Sequence, residues 1–165
     1  MPSIRINNET KTGVYFLTFT IKNWYYIFDR HNRWEILLNS LKYCQEKKNL
    51  KIYAYVFMLN HLHLIVQNDD VSGFVRDFKK FTAFEIMKNL QGTEPRVAEL
   101  FQAENKKYQI WEKTNMPKQI ETEKFFHQKR EYIETNPVRK GYVEKAEYWK
   151  YSSASKSNLL QLSYL

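Results

Sequence analysis

Two apolar runs, residues 51–58 and 61–67, are separated only by Leu59-Asn60, and this link constrains the fold more than any other feature. Strands joined so tightly run antiparallel, because a parallel return needs a crossover of about a dozen residues or more. Residues 13–21, dense in β-branched and aromatic side chains, predict another strand. Phe28, Trp34, Leu37, Leu38 and Leu41 recur near helical spacing and predict a helix over about 28–48. Phe74, Phe78, Phe81 and Ile86 predict a second, from Val71 to about Leu90. Tyr108-Gln-Ile-Trp111 is a candidate strand, and a last helix is expected from about Ile120 to Thr135, with Asn136-Pro137 as its stop. That order is α+β: an antiparallel sheet with helices on one face, of ferredoxin-like type. No repeat or linker interrupts the chain, so 1–153 is expected to be one domain and 154–165 a C-terminal tail.

Function begins with charge. Lys and Arg number 26 against 18 Asp and Glu, a net charge of +8, which suits a polyanion because each neutralised phosphate releases counterions. Many basic proteins bind no nucleic acid, so charge alone leaves the question open. Cys44 is the only cysteine; it excludes an intrachain disulfide and a multi-cysteine zinc site, and its apolar neighbours suggest a buried, inert thiol. No apolar run approaches the roughly 18 residues of a membrane span, and the N-terminus lacks the apolar stretch of a signal peptide. Cytoplasm is the default expectation.

His61 and His63 alternate with Leu62 on the second strand of the hairpin, so both imidazoles project from one face. Two imidazoles can share a divalent cation, but an H-x-H also arises by chance. Downstream, Tyr132 and Asn136 are a helical turn apart within Glu131-Tyr-Ile-Glu-Thr-Asn-Pro-Val138. A free phenol is a poor nucleophile at neutral pH, its pKa being about 10; beside a cation that polarises a phosphate it can attack phosphorus. On spacing alone the plainer reading is the better one: Tyr132 is one of 12 tyrosines, and Asn136 a helix cap before proline.

Taken together, Tyr55-Val-Phe-Met-Leu-Asn-His-Leu-His-Leu-Ile-Val66 and Tyr132-Ile-Glu-Thr-Asn-Pro-Val-Arg139 resemble the HUH single-strand transposases, and more closely the REP-associated tyrosine transposases. The resemblance runs from the first strand to about Ser153 and includes the aromatic-serine segment Trp149-Lys-Tyr-Ser-Ser153. It implies that His61 and His63 are metal ligands, Asn136 a third, amide-bearing ligand, and Tyr132 the nucleophile, with Mg²⁺ or Mn²⁺ as the cation. The implied reaction is attack on a single-stranded DNA phosphodiester, giving a 5′-phosphotyrosine and a free 3′-OH that permits rejoining. The implied partner is single-stranded DNA flanking a hairpin, handled by a monomer or a homodimer. Leu59 departs from the family, many members of which carry proline before the Asn-His pair; a looser turn is the expected consequence.

Arg76, Lys79 and Lys80 share a face of the second helix, and Arg139 and Lys140 follow the tyrosine; all five are candidate phosphate contacts. Lys88 lies on the same helix. Trp111, Trp149 and Tyr151 are candidate stacking partners for unpaired bases. His127 lies five residues before Tyr132, off its helical face. Two other readings stay in view: a DNA-binding protein of this fold that no longer cuts, and a metal-dependent phosphodiesterase in which water attacks.

Overall fold

The computed structural model describes residues 12–165. The hairpin forms as its short link requires: β2 (Lys51–Phe57) pairs antiparallel with β3 (His61–Gln67), and β3 pairs in turn with β1 (Val14–Thr20). A two-residue strand, β4 (Lys118–Gln119), joins the other edge of β1, giving the sheet order β2-β3-β1-β4. With α1 (Arg33–Lys47) between β1 and β2, and α2 (Val71–Thr93) followed by the short α3 (Pro95–Glu99) between β3 and β4, the chain has the βαββαβ order of a ferredoxin-like core.

Alternation along the strands decides which face is covered by what. Leu17 and Phe19 of β1 and Leu62, Leu64 and Val66 of β3 point into the main core, where they meet Leu37, Leu38 and Leu41 of α1 and Phe74, Phe78 and Ile86 of α2. Phe16 and Ile65 point the other way, into a second cluster with Phe126 and Ile133 of α4 (Glu123–Arg139). The core helices α1 and α2 therefore lie on one face, as expected, and α4 is added on the opposite face. That added helix carries Tyr132.

Three boundaries differ from expectation, each for a local reason. α1 starts at Arg33 rather than near Phe28, because His31 and Asn32 adopt left-handed backbone (φ 56° and 58°) that a helix cannot include. The candidate strand at Tyr108–Trp111 supplies only isolated bridges, Ile21 to Trp111 and Gln102 to Tyr108. Residues 110–120 instead follow β1 irregularly, interrupted by Met116 at φ 46° and by Pro117, which has no N–H to give a ladder. Finally, Asn136-Pro137 does not stop α4. Pro137 sits in the last turn, and the helix runs on to Arg139 and is closed by Gly141, whose φ of 76° suits glycine. There Gly141 N–H donates to Val138 C=O and Tyr142 N–H to Pro137 C=O, which is the Schellman arrangement.

The segment after α4 closes the open edge of β2. Phe57 N–H donates to Tyr151 C=O and Ser153 N–H to Tyr55 C=O, while Ser153 Oγ donates to Glu134 of α4. An exposed strand edge is thereby covered. The expected tail also packs down: Leu160 is buried in the main core and Ser163 N–H donates to Ile52 C=O. Among the described residues no helix is long and apolar enough to cross a membrane.

Candidate active site

The site lies where α4 crosses the second face of the sheet. His61 and His63 face the same way on β3, opposite Thr20 and Thr18 of β1 in register, with ring centroids 4.8 Å apart. Each imidazole is held through one nitrogen. His61 Nδ1 lies 2.7 Å from Asn60 Oδ1, and the amide of Asn60 is oriented because its Nδ2 donates to Trp24 C=O at 3.0 Å. An amide oxygen only accepts, so the proton is on His61 Nδ1 and the lone pair is on Nε2. His63 Nδ1 lies 2.9 Å from Thr18 Oγ1, and its buried Nε2 has no hydrogen-bond partner among the described residues.

Leaving a buried nitrogen unpaired costs free energy, and a ligand donor is a recognised reason for it. Burial first, and then the nearby Lys140 charge, push the His61 pKa down to about 4. Burial, then His61, Lys129 and Arg139, push His63 down to about 3. Both rings are neutral at pH 7, the form in which imidazole binds metal. Among the described residues no three His, Cys, Asp or Glu side chains gather as a metal cluster. A cation held by this histidine pair would draw its other donors from amides, DNA or water, a set that would suit a hard divalent ion.

Tyr132 is 42% exposed, and its ring meets that of His63 edge-on, centroids 5.4 Å apart. Phe16 borders it at 6.0 Å. Two cations flank the ring: Arg139 Cζ is 4.5 Å from its centroid and Lys129 Nζ is 5.3 Å. Arg139 is fixed by donating to the Tyr132 carbonyl and to Thr135 Oγ1. Asn136, a turn beyond Tyr132, is buried on the α4 side that faces the sheet with Phe126, Ile133 and Pro137.

The turn at Leu59 is braced by backbone hydrogen bonds. Its carbonyl accepts from the N–H groups of Ile27 and Phe28, and Met58 N–H donates to His61 C=O, so neighbouring backbone supplies the constraint that proline gives elsewhere.

The other expected contacts divide. Arg139 and Lys140 are beside the site, whereas Arg76, Lys79 and Lys80 are on α2, across the sheet from Tyr132. Arg76 pairs with Asp77, and Lys79 donates to the carbonyls of Glu112 and Lys113, bracing that loop; Lys80 is exposed. His127 is exposed near Glu123. Of the candidate stackers, Trp111 is buried with Nε1 donating to Thr82. Trp149 donates to Phe57 C=O and Tyr151 to Glu35. Trp111 is thereby committed to the core, whereas Trp149 and Tyr151 are half-buried and each tied to the fold by one such bond. Sequence reasoning missed Lys129, Thr18 and Asn60; only Lys129, three residues before Tyr132 on a helix, carried a spacing signal.

A family model described as Transposase IS200 like matches residues 10–136, a span that includes both histidines, Tyr132 and Asn136. The chain belongs to the IS200-like transposase family. Among its relatives is a Haemophilus influenzae protein assigned as a REP-associated tyrosine transposase, 28% identical over 152 residues, covering 87% of this chain and 81% of that protein. A solved structure of a REP-associated tyrosine transposase bound to a REP hairpin superposes with a TM-score of 0.70 at 21% identity, covering 93% of this chain and 82% of the other. At that identity the superposition speaks for the fold. As an IS200-like transposase this chain is an enzyme of the tyrosine type, and its α4 is the helix that brings the tyrosine to the histidine face.

Proposed function

We propose that this transposase cuts and rejoins single-stranded DNA beside a hairpin, with Tyr132 as nucleophile and His61 and His63 as ligands of Mg²⁺ or Mn²⁺. The observation that carries the reading is the buried, unpartnered His63 Nε2 on a ring that touches the accessible Tyr132 ring. Asn136, buried on the same helix, is the third ligand. When bound, the cation polarises the scissile phosphate and offsets charge that develops on it.

The chain's own residues do the rest. Tyr132 Oη forms a bond to phosphorus, and the bond from phosphorus to the 3′-oxygen breaks. The phenolic proton is lost to water and the leaving 3′-oxygen gains one from water. The product is a 5′-phosphotyrosine and a free 3′-OH, so a second 3′-OH reverses the step and joins strands. Arg139 and Lys129, both within 5.3 Å of the Tyr132 ring centroid, hold phosphate oxygens in place, and Lys140 holds the strand further along. Arg76 and Lys80, across the sheet, are placed for flanking DNA rather than for the scissile bond. With these groups on one chain, the reading favoured is a monomer acting in cis, a homodimer being the alternative.

The test is a denaturing gel after incubating the protein with Mn²⁺ and labelled hairpin DNA bearing single-stranded flanks. A DNA-shifted protein band is expected, absent with Tyr132→Phe, with His61→Ala/His63→Ala and with EDTA. Cleavage without an adduct that survives Tyr132→Phe makes water the nucleophile. Binding without cleavage makes this a DNA-binding protein of the same fold.

A further inference from the structure

Three large aromatic side chains beside the site are held in water. Trp24 is 67% exposed, Tyr26 57% and Tyr142 40%. None is left there by a loose loop. Asn23 and Trp24 both occupy the left-handed backbone region, at φ 55° and 63°, which is uncommon for residues of their kind and persists only where surroundings impose it. The surroundings are specific: Lys22 N–H donates to Ile110 C=O, Asn23 N–H to Glu112 Oε1, and Trp24 N–H to Ile21 C=O. The Trp24 carbonyl accepts from Asn60, the same side chain whose oxygen meets His61 Nδ1. One residue thus ties the aromatic loop to the catalytic histidine.

Tyr142 is fixed from the other side. It follows the Gly141 turn that ends α4, so it moves with the helix carrying Tyr132. Its ring stacks on Trp149, centroids 5.6 Å apart at 25°, and Trp149 is anchored to β2 through Phe57 C=O. Burial first, and then the neighbouring Tyr26 side chain, raise the Tyr142 pKa, which puts the two tyrosines side by side, with Trp24 two residues before Tyr26 on the same loop. Lys22 lies two residues before Trp24 in sequence and Lys140 two before Tyr142, and the Lys140 charge reaches His61.

We propose that Trp24, Tyr26 and Tyr142 form a stacking surface for unpaired bases of the DNA strand next to the scissile phosphate. Rigid exposed rings beside cations suit single-stranded nucleic acid, because every base has a π-face and each phosphate seeks a positive charge. A preorganised surface also avoids the ordering cost that a mobile loop would incur. The proposal rests on the reading of the neighbouring site as a single-strand DNA site, and it adds the residues that take the unpaired bases.

The test separates the two. Binding is measured in EDTA, without cleavage, by fluorescence anisotropy on a DNA hairpin with mixed-sequence single-stranded flanks and on the same hairpin blunt-ended. Wild type should prefer the flanked hairpin. Trp24→Ala and Tyr142→Ala should each weaken it by about 5- to 100-fold and leave the blunt hairpin unchanged, with Trp24→Tyr restoring most of the loss. Unchanged thermal melting confirms that the variants fold. Equal binding of the two hairpins by wild type overturns the proposal, as does an alanine variant with unaltered preference; the rings would then serve a protein partner. Either result leaves the Tyr132 adduct assay to stand or fall by itself.

Discussion

The Tyr132 ring meets the His63 imidazole edge-on within one chain, centroids 5.4 Å apart at 68°. In this arrangement the proposed nucleophile and the proposed ligand belong to one chain, and the proposal is that they act in cis. Mixing Tyr132→Phe protein with His61→Ala/His63→Ala protein should restore no covalent adduct on a denaturing gel. Recovery toward a quarter or a half of the wild-type yield would mean that subunits exchange α4.

Asn60 holds His61 by its oxygen and the aromatic loop by its nitrogen. Groups that orient a metal-binding histidine typically contribute about 10- to 100-fold in metal affinity. Asn60→Ala should weaken Mn²⁺ binding by that factor in calorimetry, and an unchanged affinity would contradict the assignment of His61 as a ligand.

Arg33 is fully buried, with Nη2 donating to Glu94, Nε to Asn89 and Nη1 to Ile27 C=O. It joins the start of α1 to the end of α2. Arg33→Ala leaves Glu94 to Arg30 and takes the donor from the Ile27 carbonyl and Asn89 Oδ1, and should cost about 1–3 kcal/mol in urea unfolding from the acceptors left unsatisfied.

Glu94 also sets an acid limit. Burial alone would raise its pKa, but hydrogen bonds and charge from Arg33 and Arg30 outweigh it and hold the carboxyl below its ordinary value of 4.5. A folded pKa below the unfolded one contributes stability that is present above the ordinary value and lost as pH falls through the folded one. Thermal melting should therefore decline below pH 4.5, and Glu94→Gln should flatten that limb while lowering stability at neutral pH.

Much of this architecture was legible where local rules decide it. The Leu59-Asn60 link dictated the hairpin, and period-two alternation placed His61 and His63 on one face with Leu62 and Leu64 in the core. The spacing of Tyr132 and Asn136 held because both lie within α4. What escaped depended on partners distant in sequence. Lys79 looked like a free cation until the loop at 112–113 came over it. β4 has two residues and no apolar pattern, so only its pairing with β1 defines it. Pro137 looked like a stop, yet the helix carries it two residues from its end, giving up the bond an N–H there would make to the Ile133 carbonyl, and the Gly141 turn closes the helix. The exposed rings carried no signal, since burial of Trp111 and exposure of Trp24 are tertiary facts.

The most direct measurement is mass spectrometry of the protein after reaction with Mn²⁺ and flanked hairpin DNA, followed by nuclease and protease digestion. The account predicts a 5′-nucleotide phosphodiester-linked to the peptide containing Tyr132, at Tyr132 itself. A nucleotide on any other residue, or full cleavage with an unmodified Tyr132 peptide throughout the reaction, would contradict it.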